Sequence, residues 1–127
     1  MKCDFSYYQM VYPKIIEGIR LVASPPETQT ILFPKILLAP YEIADLFEEI
    51  IIYASILEKN NYITSQQLFC LKEIKNVFQR FTEQEWSIEM LCSSPNWAST
   101  RKLAEKALRR FDVEYAKPNL YWIVNQK

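Results

Sequence analysis

Four carboxylates crowd one short stretch, "PYEIADLFEEIIIYASIL": Glu42, Asp45, Glu48 and Glu49, with Tyr53 one turn further on. Side chains of this type at this density can hold a metal ion, move protons, or meet the cations of another macromolecule. The first use is not supported, because the chain has no histidine and so no Glu-x-x-His element to build a di-iron bundle site. The second loses its commonest general base for the same reason. Paired carboxylates could in principle still do acid–base work. The single glycine, Gly18, removes every Gly-rich phosphate loop as well. The sequence is therefore expected to encode no enzyme and to need no cofactor or metal. Docking remains, although part of the clustering has a simpler cause: these acids lie near a helix N-terminus, where the macrodipole favours negative charge.

The other reactive types point the same way. Cys3, Cys70 and Cys92 are odd in number and at no metal-like spacing, so neither a disulfide framework nor a zinc site is expected. They read as buried small hydrophobes. Cations gather in "RKLAEKALRR", and cations on one helix can track phosphates. Zero net charge and the intervening Glu105 argue against a nucleic-acid partner. Arg101 stands apart. It follows Trp97 by one turn, on the line of Ala104 and Leu108, and is expected to lay its stem on the indole and reach a carboxylate of another helix. Lys102, Glu105 and Lys106 read as a solvated face, while Arg109 and Arg110 suit the negative end of the helix dipole. Charge is split unevenly: residues 1–63 hold five Lys/Arg against eight Asp/Glu, residues 64–127 ten against seven. That split is either internal complementarity or an acidic face kept for a basic partner.

Helices have to hold these residues in place. With 127 residues, half of them apolar and 14% aromatic, the chain is too hydrophobic for disorder and fits one domain, 1–127, with its own core. The expected fold is all-α, a compact bundle of about five helices with an irregular C-terminal tail. The apolar runs "ILLAPY" and "IIIYASIL" fall short of the ~20 residues a membrane span needs, and "MKCDFSYYQM" lacks a signal-peptide core. A cytoplasmic protein without a membrane partner is expected.

A first helix is predicted from about Ser6 to Ala23, or from near Pro13 if that proline starts it, leaving "DFSYYQMVY" as a lead-in. "SPPETQTILFPK" reads as a loop whose apolar tip must be covered. The second helix runs from Pro40 to about Lys59 around a core stripe of Ile43, Leu46, Phe47, Ile50, Ala54 and Leu57. Ile52, Tyr53 and Ile56 make its C-terminal half apolar nearly all round, so it is either central in the bundle or offers a surface to a partner. Thr64 and Gln67 form a capping-box pattern at the third helix, and Thr82 and Glu85 repeat it at a shorter fourth one through Trp86, Met90 and Leu91. Ser94 caps the fifth, Pro95 takes its first position, and Trp97, Ala104, Ala107, Leu108 and Phe111 face inward. Within residues 112–127, "LYWIV" is strand-like in composition but has no partner strand, and is expected to pack as an extended or helical tail.

An acidic helix, then a helix of alternating leucines, then Trp86, Ser87 and Leu91 leading into Pro95, Trp97, Arg101, Ala104, Ala107 and Leu108 is an order that resembles small helical immunity proteins of bacterial contact-dependent growth inhibition and related polymorphic toxin systems. The resemblance covers roughly residues 40–111. It implies a cytosolic protein that binds one cognate toxin domain, often a nuclease, and blocks it without catalysis. Nuclease toxins carry cations for nucleic acid, so the resemblance points to Glu42, Asp45, Glu48 and Glu49 as the partner-binding face, with Tyr53 as aromatic anchor. Inhibitors of nucleases are commonly acidic overall, whereas this chain balances to zero; the toxin need not be a nuclease, and the basic fifth helix is an alternative contact face. A helical adaptor or regulatory interaction module is the competing class.

Overall fold

The computed structural model describes residues 4–33 and 38–119. Six helices follow in order: α1 (Phe5–Ala23), α2 (Pro26–Ile31), α3 (Ala39–Lys59), α4 (Ser65–Gln79), α5 (Ile88–Ser93) and α6 (Pro95–Arg110), with a 3₁₀ turn over Glu83–Trp86 before α5. The chain is an all-α bundle, with no strand among the described residues. Four long helices, α1, α3, α4 and α6, alternate in direction and close into a ring, each packed on two neighbours. Short α2, the 3₁₀ turn and α5 gather at the end where α3 and α6 begin. Aromatic rings close the other end, Tyr8 stacking on Tyr62 at 4.9 Å and Tyr12 tilted against Phe111 at 6.2 Å.

Local chemistry sets most of the boundaries. Asp4 accepts the Tyr7 N–H at 3.0 Å, and α1 starts at Phe5 and runs straight through Pro13. Pro13 is therefore not a start signal: the N-cap and the Phe5–Tyr8–Tyr12 ring series hold the two turns before it. Two helices end without glycine. Asn61 and Asp112 take positive φ, 65° and 54°, and each lets the next N–H turn back onto a carbonyl of the last turn, Tyr62 to Leu57 at 2.9 Å and Val113 to Leu108 at 3.0 Å. Asn and Asp are the non-glycine residues that tolerate this left-handed geometry best.

The one glycine has a different use. Gly18 lies where α1 crosses α3, and a β-carbon there would come within 2.5 Å of Ile50 Cγ1. Close approach of the two helices, not a phosphate loop, is what this position requires.

Several local expectations fail, two of them because a tertiary contact overrides the local signal. Residues Pro26–Ile31 form a helix inside the expected loop, since Gln29 turns inward and donates to the carbonyls of Leu21 and Val22. The apolar tip beyond it is only partly covered: Phe33 is buried while Ile31 is exposed. Thr64 caps α4 with a reciprocal box through Gln67, but Thr82 makes no side-chain cap, and the expected fourth helix splits into the 3₁₀ turn and α5 with Ser87 as the new cap. Glu85 is drawn away from the cap by Ser94 Oγ at 2.5 Å and Asn96 Nδ2 at 3.0 Å. Cys70 is buried as expected, but Cys92 is exposed, and Cys3 lies outside the described residues. So does "LYWIV". Residues 113–119 before it form an irregular strap along α1, held by Arg20 on the Glu114 carbonyl, Tyr115 on Ser24 and the Asn119 N–H on Glu17.

Candidate functional site: the outer face of α3 and its groove with α4

The core stripe of α3 is buried at Ile43, Leu46, Phe47, Ile50, Ala54 and Leu57. That orientation fixes where the acids go. Glu49 and Tyr53 turn toward α1: the Tyr53 hydroxyl donates to Glu49 Oε1 at 3.2 Å, and Lys14 Nζ sits 5.6 Å from the centre of the Tyr53 ring. Burial, with the neighbouring Glu49 carboxylate second, raises the Tyr53 pKa above its usual value. Glu42 shares that side of the helix by its spacing of seven from Glu49 and is half-buried. Asp45 and Glu48 turn the other way, toward α4. The structure thus brings together two subsets, and Tyr53 belongs with Glu49, not with Asp45 and Glu48.

Asp45 and Glu48 stand on the rim of a groove of about 190 Å³ between α3 and α4. Its walls include Phe47, Phe78 and Trp86. Trp86 is the centre of an aromatic cluster, stacked on Tyr41 at 5.2 Å, edge-on to Trp97 at 6.1 Å and tilted against Phe81 at 5.1 Å. Glu48 reaches Lys75 across the groove at 3.9 Å, a long pair with Glu48 exposed and Lys75 half-buried, of small net worth. Asp45 has no hydrogen-bond or ion-pair partner among the described residues. Beyond the groove the outward faces are unusually apolar: Ile52 on α3 is 58% exposed and Phe69 on α4 is 62% exposed. The apolar surround of α3 does not therefore mean a fully enclosed helix.

Sequence reasoning found the carboxylates but not the groove. Trp86 and Lys75 are remote from α3 in the chain, and only the antiparallel register, which sets Glu48 against Lys75, brings them alongside. Tyr41, next to Pro40, carried the one available signal: a large aromatic on the solvent side of a predicted helix.

The fifth predicted helix, α6, is largely a brace. Trp97 is 0% exposed, and its Nε1 donates to the Glu85 carbonyl at 2.8 Å. Arg101 does turn inward, but its partners are neutral, not a carboxylate. Its Nε donates to Gln29 Oε1 at 3.2 Å, and its terminal nitrogen donates to the Leu91 carbonyl at the end of α5. Desolvation lowers its pKa, with Cys92 and Glu27 opposing; a guanidinium remains charged regardless. Lys106 is tied to Glu73 of α4 at 3.4 Å. That leaves Lys102, Arg109 and Arg110 exposed, separated by Glu105.

Among the described residues no group of His, Cys, Asp or Glu could hold a metal ion, and no helix is long and apolar enough to cross a membrane. The chain matches no protein-family model, no curated protein and no solved structure.

Proposed function

We propose that this chain is an immunity protein that binds a cognate toxin domain and neutralises it by occupying its surface, with α3 and the α3–α4 groove as the docking face. The observation that carries the reading is the groove itself: aromatic walls, the carboxylate of Asp45 on its rim without a partner among the described residues, and Tyr41 and Ile52 exposed on the same helix. Exposed apolar side chains among polar groups of this kind are a feature of protein–protein contact surfaces. Carboxylates beside it steer a partner carrying cations and quicken association. The order of motifs that resembles polymorphic-toxin immunity proteins supports the choice of partner class, and the absence of histidine agrees with a chain that blocks chemistry instead of performing it.

The test is genetic. The C-terminal domain encoded by the reading frame immediately upstream is expressed alone and together with this chain. Growth arrest by the domain alone, relieved by the wild-type chain and not by Asp45→Arg plus Glu48→Arg, is the expected result. A harmless upstream product, or full protection by the double variant, contradicts the reading; the first outcome would instead favour a helical adaptor.

A further inference from the structure

The size of the groove limits what it can receive. About 190 Å³ holds roughly six waters at ~30 Å³ each, whereas pockets for drug-sized ligands begin near 300 Å³. One long side chain fits it. What the walls offer then decides which side chain. Half-buried Trp86 presents aromatic surface with buried Phe78 behind it, and Asp45 and Glu48 present two carboxylates on the rim. Asp45 has no cation of its own among the described residues, and Glu48 has only Lys75 at 3.9 Å, with Glu48 exposed and Lys75 half-buried. A better-placed cation displaces such a pair at little cost.

We infer that the groove takes the side chain of an arginine from a polypeptide partner, its guanidinium against the aromatic rings and its N–H fork shared by Asp45 and Glu48. This rests on the docking role proposed above and specifies the chemistry of the partner. Guanidinium is planar, weakly hydrated and able to stack and donate in its plane at the same time. Lysine concentrates its charge on a strongly hydrated ammonium that has to shed water to lie on a ring. An aliphatic anchor would cover the rim carboxylates without giving them a donor, which is costly. An acidic anchor would be repelled. Lys75 swings to solvent as the arginine enters.

Titration of the ¹⁵N-labelled full chain with acetyl-Gly-Gly-Arg-Gly-Gly-amide, followed by NMR up to roughly ten millimolar, tests this directly. Expected are shifts confined to residues 44–48 and 75–79 and the Trp86 indole, at least about tenfold weaker binding of the citrulline analogue, and weaker binding of the lysine analogue. Asp45→Asn plus Glu48→Gln, both exposed and harmless to folding, lowers arginine affinity by about tenfold, while Glu105→Gln leaves it unchanged. Equal binding of citrulline, shifts centred elsewhere, or no shifts at all overturn the assignment. Failure of the wider reading is separate: a chain that binds the peptide in the groove but relieves no growth arrest keeps the arginine site and loses the immunity role.

Discussion

Trp97 does two things at once, and its replacement separates them from ordinary surface change. The ring fills the space between α4, α6 and the 3₁₀ turn, in edge contact with Phe78 at 5.4 Å and Phe81 at 5.1 Å, while its N–H satisfies the Glu85 carbonyl. Trp97→Ala is expected to cost about 3–5 kcal/mol, measured by urea unfolding; a loss under about 1 kcal/mol would mean the ring is dispensable. Its inward direction was legible from helical spacing alone. Arg101 was legible only in part. Spacing placed it on the inner line, but its acceptor Gln29 is 72 residues away in sequence, in a segment with no helical period of its own, and no sequence pattern connects the two. Glu85 misled for a related reason: it occupies the position of a capping residue, yet the buried Ser94 hydroxyl and the Asn96 amide offer it more than a backbone N–H at the surface does.

At the scale of elements, the crossing of α1 and α3 gives the sharpest test. Alanine is normally favoured over glycine inside a helix by about 1 kcal/mol. At position 18 the sign reverses, because the added methyl meets Ile50 at its Cγ1, not at a freely moving tip. Gly18→Ala should destabilise by about 1–3 kcal/mol, read from the shift in urea midpoint at constant slope; stabilisation would show that the helices can part. The long helices were legible because each carries its own stripe of apolar residues and its own stop. Of their two short companions, α5 was legible only as part of a longer helix, and α2 not at all. Six-residue helices have too few turns for periodicity to speak, and α2 is held by Gln29 and Arg101 rather than by propensity.

The whole molecule sorts its ionisable groups into those that hold the bundle and those that face outward. Tyr12, raised in pKa by burial and then by Tyr8 and Asp112, and Tyr53, raised by burial and then by Glu49, belong to the first set. Both are harder to ionise folded than unfolded, so the stability they lend is complete below the unfolded tyrosine value of about 10 and drains away as pH rises through their higher folded values. The melting temperature should therefore fall as pH rises above about 10, and Tyr12→Phe should flatten that fall; an unchanged slope would remove Tyr12 from the account. The acids on α3 were visible in the sequence, but their division into Glu49, which turns with Tyr53 toward α1, and an outward Asp45–Glu48 rim depends on which neighbour each side of the helix meets. Ion pairing across the two halves of the chain is seen at Lys75–Glu48, and it leaves Asp45 available. The measurement that bears most directly on that surface is calorimetric affinity for the upstream-encoded domain proposed as its partner. Asp45→Arg plus Glu48→Arg should weaken the complex at least 100-fold, about 2.7 kcal/mol, with the melting temperature of the free chain unchanged. Undiminished affinity in that variant, together with loss of binding in Lys102→Glu plus Arg109→Glu, would place the contact on α6 and contradict the account.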